Sequence, residues 1–384
     1  MIEENVKLHD TFSVELKVGF VAKKKQKIND FAMNIWMFIP ASLDINRFTY
    51  SKTDFYRDIK THIRLITPVF LLRDIAESAN SPFIFLKQSF SVLASQPTRT
   101  HREEYEYQIK MFIAILKSSL REAVAHLMKA NEPDLEYLVN DYLTQIRKIA
   151  GQYRNLYRII NVPTIGKEMM EYFSFGDEFM SNLIEFHTFR LMQGIKKRFP
   201  ANSAPHLAAI SALVQEETNY KKNRGFPVVD PGNKKNNNNL VYRLGMLKKY
   251  AESHLYLNVD KRKDGIWAEQ LFFSLAAGIS MVFATMVAFS VQQKFGNFTM
   301  PLFVALVVSY MLKDRIKEFA RYYFAHKLGS RYFDHKIRMK FNQNEMGWAK
   351  ESIDFISGRK VPQEISNARG RSSTIEAYIR ANNE

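Results

Sequence analysis

Three potential metal ligands recur at helical spacing near the start of the chain. Asp54, Asp58 and His62 are each four residues apart, so on a continuous helix they share one face. Carboxylates and imidazole together form a ligand set for a divalent metal ion. The alternative is a solvated helix face that carries an Asp–His pair.

A second candidate set combines basic and aromatic residues. Arg147, Arg154 and Arg158 are accompanied by Tyr153 and Tyr157. A strip of this kind can hold phosphate groups and stack bases. The alternative is an ordinary surface stripe on the helix of a bundle. Neither set identifies a cofactor.

Familiar catalytic signatures are absent from the chain. It contains no P-loop, no dinucleotide fingerprint, no HExxH and no GxSxG. Because there is no cysteine, disulfides, thiolate nucleophiles and cysteine metal sites are excluded. The net charge of +16 suggests an anionic partner, either nucleic acid, a nucleotide or the acidic leaflet of a membrane.

The most apolar part of the chain predicts two transmembrane helices. Residues 271–291 form a run of 21 residues without a formal charge, which at about 1.5 Å per residue spans roughly 30 Å of hydrocarbon. Counted from Phe295, a second run of 18 uncharged residues ends at Leu312, near the lower limit for a span. The alternatives are a buried helix of a soluble domain for the first run and a re-entrant segment for the second.

Basic residues on both flanks orient this helical pair. Five Lys or Arg residues lie between Lys248 and Lys263, and six lie between Lys313 and Arg331, against Lys294 alone in the turn. Lys and Arg collect on the cytoplasmic side of membrane helices. We therefore expect an integral membrane protein with both termini in the cytoplasm, in the inner membrane if the source is bacterial.

Small and basic residues suggest what the two membrane helices contact. Small residues at four-residue spacing predict close helix packing, either within the hairpin or between copies of the chain. These residues are Ala276, Ser280, Ala284 and Ala288 on the first helix and Ala305 and Ser309 on the second. Four basic residues that follow are predicted to rest on anionic lipid headgroups: Lys313, Lys317, Arg321 and Lys327.

The rest of the chain predicts a helical bundle with a small β element. Alternation over 12–20 and 31–39 predicts a β-hairpin, and a further strand at 337–341 would bring both termini into one sheet. Helical spacing from about 50 to 223 predicts the bundle. Prolines, glycines and an asparagine run predict a linker at 224–239.

We therefore predict a mainly α fold, in which a cytoplasmic helical bundle carries a small N-terminal β-hairpin and a two-helix transmembrane hairpin. The predicted divisions are 1–45 (β-hairpin), 46–223 (bundle), 224–239 (linker), 240–265 (juxtamembrane helix), 266–312 (transmembrane hairpin) and 313–384 (basic C-terminal region).

The expected function is that of a membrane-anchored protein that binds a ligand or partner, as a signalling, scaffold or effector protein. One alternative is a membrane-adjacent enzyme that acts on an anionic substrate such as a nucleotide or a lipid headgroup. Another is a component of an oligomeric pore. The expected partners are a bilayer with anionic headgroups and further copies of the chain, and the sequence does not name the protein or small-molecule ligand.

Overall fold

A computed structural model of the chain describes residues 2–8, 13–23, 26–78, 80–200, 204–296, 299–329, 332–341 and 344–369. The protein is mainly helical with a minor antiparallel β component, as predicted. The chain divides into two compact units. The helical unit is Arg64–Tyr256, and the split unit joins Met1–Ile63 with Leu257–Glu384.

Five strands and twelve α-helices make up the regular structure of the described residues. In chain order they are β1 Ile2–Leu8, β2 Val14–Phe20, α1 Lys52–Asp58, α2 Leu72–Glu77, α3 Pro82–Ser95, α4 Arg99–Leu127, α5 Glu132–Asn155, α6 Tyr157–Ile160, α7 Lys167–Arg198, α8 Ala204–Arg224, α9 Lys234–Glu252, β3 Asn258–Lys263, α10 Ile266–Phe295, α11 Met300–Gly329, β4 His335–Phe341, β5 Asn344–Glu351 and α12 Gln363–Arg369.

The core of the helical unit forms around α4, which contacts α3, α7 and α9. Its predicted apolar face is buried, with Ile109, Phe112 and Leu116 each about 1% exposed or less. The helical spacing of these residues is therefore confirmed. The helix begins one residue before the expected cap at Thr100, because the side chain of Thr98 accepts a hydrogen bond from the His101 backbone N–H.

An aromatic stack joins three helices of this core. The ring of Tyr153 lies between those of Phe112 and Phe173, with centroid distances of 5.8 and 5.1 Å. Its hydroxyl donates a hydrogen bond to the Phe173 carbonyl at 3.2 Å. A Cβ atom at Gly176 would lie 2.1 Å from that hydroxyl. Glycine is therefore required where α7 passes the buried tyrosine.

The predicted linker at 224–239 is shorter in the structure. α8 ends at Arg224 and α9 begins at Lys234, so the asparagine run starts a helix. The side chain of Asn233 accepts a hydrogen bond from the Asn236 backbone N–H, and this cap offsets the weak helix propensity of asparagine. Because α9 packs on α4 and α7, the helical unit continues past the division predicted at residue 223.

The N-terminal β-hairpin pairs different segments from those predicted. β2 pairs with β1, and residues 31–39 are not a strand. In the strand register, Val6 lies opposite Leu16 and Leu8 opposite Val14, so apolar positions of two alternating sequences are paired. Residues 31–39 are apolar at nearly every position, so they lack the alternation of apolar and polar residues that β1 and β2 share.

The predicted strand near residue 337 exists as β4, but it lies in a separate sheet of order β3-β4-β5. The prediction that both termini share one sheet is therefore wrong. β3 leads into α10 and β4 follows α11, and the two strands pair antiparallel, with Lys261 opposite Ile337. This pairing brings together the two ends of the helical pair. Residues 370–384 of the predicted basic C-terminal region lie outside the described residues.

α10 is the one described helix that is long and apolar enough to cross a membrane. α11 continues to Gly329, as predicted, but it begins at Met300 rather than near Phe295. Its uncharged part, Met300–Leu312, is therefore about 20 Å long, which is short for a span.

Candidate functional site

The predicted metal ligands do not share a helix face. The capping box of Ser51 and Asp54 starts α1 as predicted, but the helix ends at Asp58, so His62 lies beyond it. Asp54 is held by Ser51, and Asp58 accepts a hydrogen bond from the Tyr50 hydroxyl at 2.8 Å. Within the described ranges, no group of three His, Asp or Glu residues could hold a metal ion. The continuous helix that the spacing assumed is absent.

The predicted basic and aromatic strip is not an open surface. Tyr153 is fully buried, and Tyr157 is half-buried. Arg147 and Arg154 are both engaged in ion pairs within the helical unit, and Arg147 and Arg158 are exposed. Tyr153 lies on the same face of α5 as the buried Ile146 and Ile149, so it belongs to the core and not to a surface strip.

A buried polar network, which the sequence did not reveal, centres on Arg154 instead. The guanidinium contacts Asp177 at 3.3 Å and Glu217 at 2.7 Å, and it donates to the Ser181 hydroxyl at 2.9 Å. The Tyr220 ring stacks on the guanidinium, 3.5 Å from its central carbon. Helices α5, α7 and α8 are joined through this one cation.

Two further ion pairs extend the polar interior along α7. Arg243 of α9 binds Glu178 through both guanidinium branches, at 3.1 and 2.8 Å. The buried Lys221 donates to Asn182 at 3.2 Å and to Glu185. The signal in the sequence is the acidic pair at 177–178, which interrupts an otherwise apolar stretch of helix.

The electrostatics of the network reflect two carboxylates that share one guanidinium. Burial raises the pKa of Asp177, although hydrogen bonds from Tyr220 and Arg154 oppose the shift. Burial and the bond to Asp177 raise the pKa of Tyr220 to about 12. Each group has its partner inside the unit. The network therefore joins helices and presents no open binding surface.

An open cavity lies in the split unit, where the α10–α11 pair meets the sheet. Its volume is about 490 Å³. The apolar part of its wall is aromatic, formed by Phe272, Phe273, Phe324, Tyr332 and Phe333. Phe272 and Phe324 stack at 5.4 Å between ring centroids. We call this space the foot cavity, because it lies at the start of α10 and the end of α11.

Charged groups line the other side of the foot cavity in opposite pairs. Lys52 contacts Asp334 at 2.8 Å, and Lys263 contacts Glu269 at 2.6 Å. His335 completes this rim. Asp264 also lines the cavity and pairs with Lys350 at 2.9 Å. Each carboxylate of the rim thus has a lysine partner, and the rim suits a ligand group that carries both charges.

Asp334 organises the rim. It accepts hydrogen bonds from the Tyr56 hydroxyl at 3.0 Å and from the Ile353 backbone N–H at 2.9 Å. Burial alone would raise the pKa of Asp334, but these bonds and Lys52 outweigh it and lower the pKa below its usual value. The carboxylate is therefore charged at neutral pH, and it fixes α1 to the turn before β4.

Gly265 allows the close approach of chain segments at the cavity. It has φ 73°, in the left-handed region, where it caps α10. A Cβ atom there would lie 2.8 Å from the Tyr332 ring. Both the backbone conformation and the contact therefore require glycine.

One face of the β3-β4-β5 sheet is basic and open. Trp348 is 56% exposed on this face, opposite Arg338 in the ladder. Lys336 lies 5.4 Å above its ring. The opposite face carries His335, whose ring packs against Tyr56 of α1 at 4.3 Å. The sheet thus has one face that packs against α1 through Tyr56 and one face that carries Lys336, Arg338 and Trp348.

The small residues predicted for membrane packing lie along the contact between α10 and α11. The Ser309 hydroxyl donates to the Ala284 carbonyl at 3.3 Å. Ala276, Ser280, Ala284 and Ser309 are buried, and Ala288 and Ala305 are half-buried. These small residues therefore pack against the neighbouring helix of the same chain.

The basic residues predicted at lipid headgroups lie within α11. Lys313 lies 4.4 Å from the Tyr310 ring centroid, and Arg321 contacts Glu318 at 3.1 Å. Lys317 is half-buried. The side chain of Lys327 lies outside those that the structure describes.

Comparisons of the chain with protein families, with curated proteins and with solved structures give no significant match, so the geometry above carries the functional inference.

Proposed function

We propose that this protein is a membrane-anchored binding protein whose α10–α11 hairpin crosses the bilayer. The 21 uncharged residues of α10 support the crossing. The segment at the far end of α10 is polar and includes Gln292, Gln293 and Lys294. Because polar and charged side chains are costly in lipid, it belongs in water on the far side. Both chain ends then lie on the near side, which the flanking Lys and Arg residues mark as cytoplasmic.

The foot cavity is the ligand site that we propose, and its ligand is the headgroup of a phospholipid. The observation that carries this proposal is the cavity wall, with aromatic rings on one side and balanced ion pairs on the other. The pairing of β3 with β4 joins the two ends of the hairpin beside this cavity, which supports a position for the cavity at the near surface of the membrane. A phosphate would meet Lys52 and Lys263, an amine would meet the carboxylates, and the first acyl carbons would lie on Phe272 and Phe324.

The alternative of an enzyme would require a nucleophile and a base within hydrogen-bond reach in this cavity. The rim groups are instead engaged with one another in ion pairs. Binding is therefore the function that the geometry favours.

Lipid retention by the purified protein tests the ligand site. The full chain is extracted in mild detergent, and bound phosphatidylethanolamine and phosphatidylglycerol are quantified by mass spectrometry. A charge-assisted hydrogen bond contributes about 1.5–3 kcal/mol, so a Lys52→Ala, Lys263→Ala double variant should retain roughly tenfold less zwitterionic lipid.

The matched control is Lys249→Ala, at an exposed lysine of α9. It should retain lipid like the unmodified chain. Equal retention by the double variant and the control would reject the foot cavity as the lipid site.

A further inference from the structure

The register between α10 and α11 fixes the depth of each residue in the hairpin. Near the turn, Ser309 lies against Ala284. Near the feet, Phe324 stacks on Phe272, and Arg321 lies 5.3 Å from the Phe273 ring centroid. Antiparallel helices rise equally per residue, so each of these contacts places Asp314 of α11 level with residues 279–282 of α10.

This register brings charged residues of α11 to the depth of the apolar run of α10. Residues 279–282 are at the middle of the uncharged stretch 271–291. The charged segment 313–318 therefore lies beside the membrane-crossing part of α10. The depth of Asp314 measured from the start of α11 leads to the same conclusion. Asp314 is 14 residues, or about 21 Å, from Met300, which is less than the hydrocarbon thickness of about 30 Å.

These charges point away from α10. Ser309 is buried against α10, and Ile316, seven residues later on the same face, is half-buried. Asp314, Arg315 and Glu318 lie on the opposite side and are exposed. Among the described residues, Asp314 and Arg315 make no ion pair, and Glu318 pairs only with Arg321 of its own helix.

A charged face at this depth requires a polar surrounding. Ionisable residues in membrane segments face a protein interior or a water-filled space. Lysine and arginine side chains can extend to the interface, but the short side chain of Asp314 cannot. This face of α11 therefore requires a contact other than lipid.

We propose that the charged face of α11, residues 313–318, is an interface with a second copy of this chain. The face carries both signs in adjacent positions, so it is complementary to itself across a two-fold axis: Asp314 of each copy meets the basic residues of the other. The small-residue stripe is used within the hairpin, and α10 then presents its apolar outer face to lipid. The inference rests on the proposed crossing of the membrane by the hairpin.

Disulfide crosslinking in native membranes tests the interface, because the chain has no cysteine of its own. Val307 and Met311 continue the charged face toward the turn, at seven and three residues before Asp314, and both are exposed. Single variants Val307→Cys and Met311→Cys should form dimers on oxidation. The matched controls, Val282→Cys and Met286→Cys, lie on the outer face of α10 with similar exposure and should give at least fivefold less dimer.

Charge exchange provides a second measurement that does not depend on crosslinking geometry. Asp314→Lys should abolish the dimer of the full chain in detergent, and Asp314→Lys with Arg315→Asp should restore it. Equal crosslinking from both helices, or a dimer unaffected by Asp314→Lys, would overturn the interface.

Labelling of a cysteine at position 293 from the far side of the membrane tests the membrane crossing independently of the α11 interface. If Gln293→Cys at the turn reacts from the far side and the α11 variants do not crosslink, the crossing stands and only the interface is rejected. If Gln293→Cys does not react there, the crossing itself is rejected, and the depth assigned to Asp314 with it.

Discussion

Arg154 is the cation on which the polar interior of the helical unit depends. Its side chain is 21% exposed, whereas those of Asp177 and Glu217 are 0% and 5% exposed. Removing one partner of a buried pair leaves uncompensated charge, which costs more than the pair contributes when intact.

The first prediction compares two arginines on α5. Arg154→Ala should lower the free energy of unfolding by about 3–5 kcal/mol, because two buried carboxylates lose their cation. Arg147→Ala removes an exposed pair with Glu216 and should cost about 0–1 kcal/mol. Far-UV circular dichroism of the full chain in detergent during urea unfolding measures both. Equal losses would show that the network is not the source of stability.

His187 gives the helical unit a pH dependence. Burial, together with the nearby charges of Arg190, Lys117 and Arg121, lowers its pKa to about 4. In the unfolded chain a histidine has a pKa of about 6.5. The folded state thus binds a proton less readily, so its stability is complete above about pH 6.5 and falls as the pH decreases toward about 4.

The second prediction is that this loss reaches roughly 3 kcal/mol at pH 4, at 1.36 kcal/mol per pKa unit. His187→Gln should flatten the profile between pH 6.5 and 4. His126→Gln, at an exposed histidine of α4, should leave it unchanged. The readout is the circular dichroism midpoint at each pH, and a His187→Gln profile as steep as that of the unmodified chain would contradict the assignment.

At the scale of elements, the spacing of side chains predicted which helix faces are in contact, but it did not predict which segments pair with one another. The apolar positions of α4 and the small-residue stripe of α10 followed from spacing alone. The strand partner of β2 did not, because the alternation of β2 does not distinguish the alternating segment 2–8 from the apolar segment 31–39. The sequence also did not predict that α1 ends before His62. Residues 59–71 form no helix, and Arg64 among them pairs with Tyr256 in a β-bridge.

The same limit explains why the sequence did not predict the foot cavity or the polar network around Arg154. Lys52 and Asp334 are far apart in the chain, and so are Arg154 and Glu217. Each pair is brought together by the fold and by no local pattern. The acidic pair at 177–178 was the single local sign, and without its partners it did not indicate a network.

The third prediction concerns the α10–α11 contact. Ser280→Leu should disrupt it, because Ser280 is 2% exposed on the stripe that faces α11, and overpacking a close contact costs about 1–3 kcal/mol. Ser274→Leu makes the same change at an exposed position of α10 and should be tolerated. Thermal melting in detergent, followed by tryptophan fluorescence, to which Trp267 at the start of α10 contributes, compares the two. Equal melting temperatures would mean that the stripe does not hold the hairpin.

At the scale of the whole molecule, two units share one chain in an interrupted order. The helical unit is inserted between Ile63 and Leu257 of the split unit. The three tryptophans, at positions 36, 267 and 348, all lie in the split unit. Tryptophan fluorescence therefore reports the split unit, and circular dichroism reports mainly the helical one, so the two unfolding transitions can be followed separately.

The central claim is that the hairpin crosses the membrane and leaves both chain ends in the cytoplasm. Three single-cysteine variants test it in the otherwise cysteine-free chain: Gln293→Cys at the turn, Lys248→Cys before α10 and Arg338→Cys after α11, all at exposed positions. A membrane-impermeant maleimide added to intact cells should label the first, and it should label the other two only after permeabilisation. Labelling of Arg338→Cys in intact cells, or protection of Gln293→Cys there, would contradict the account.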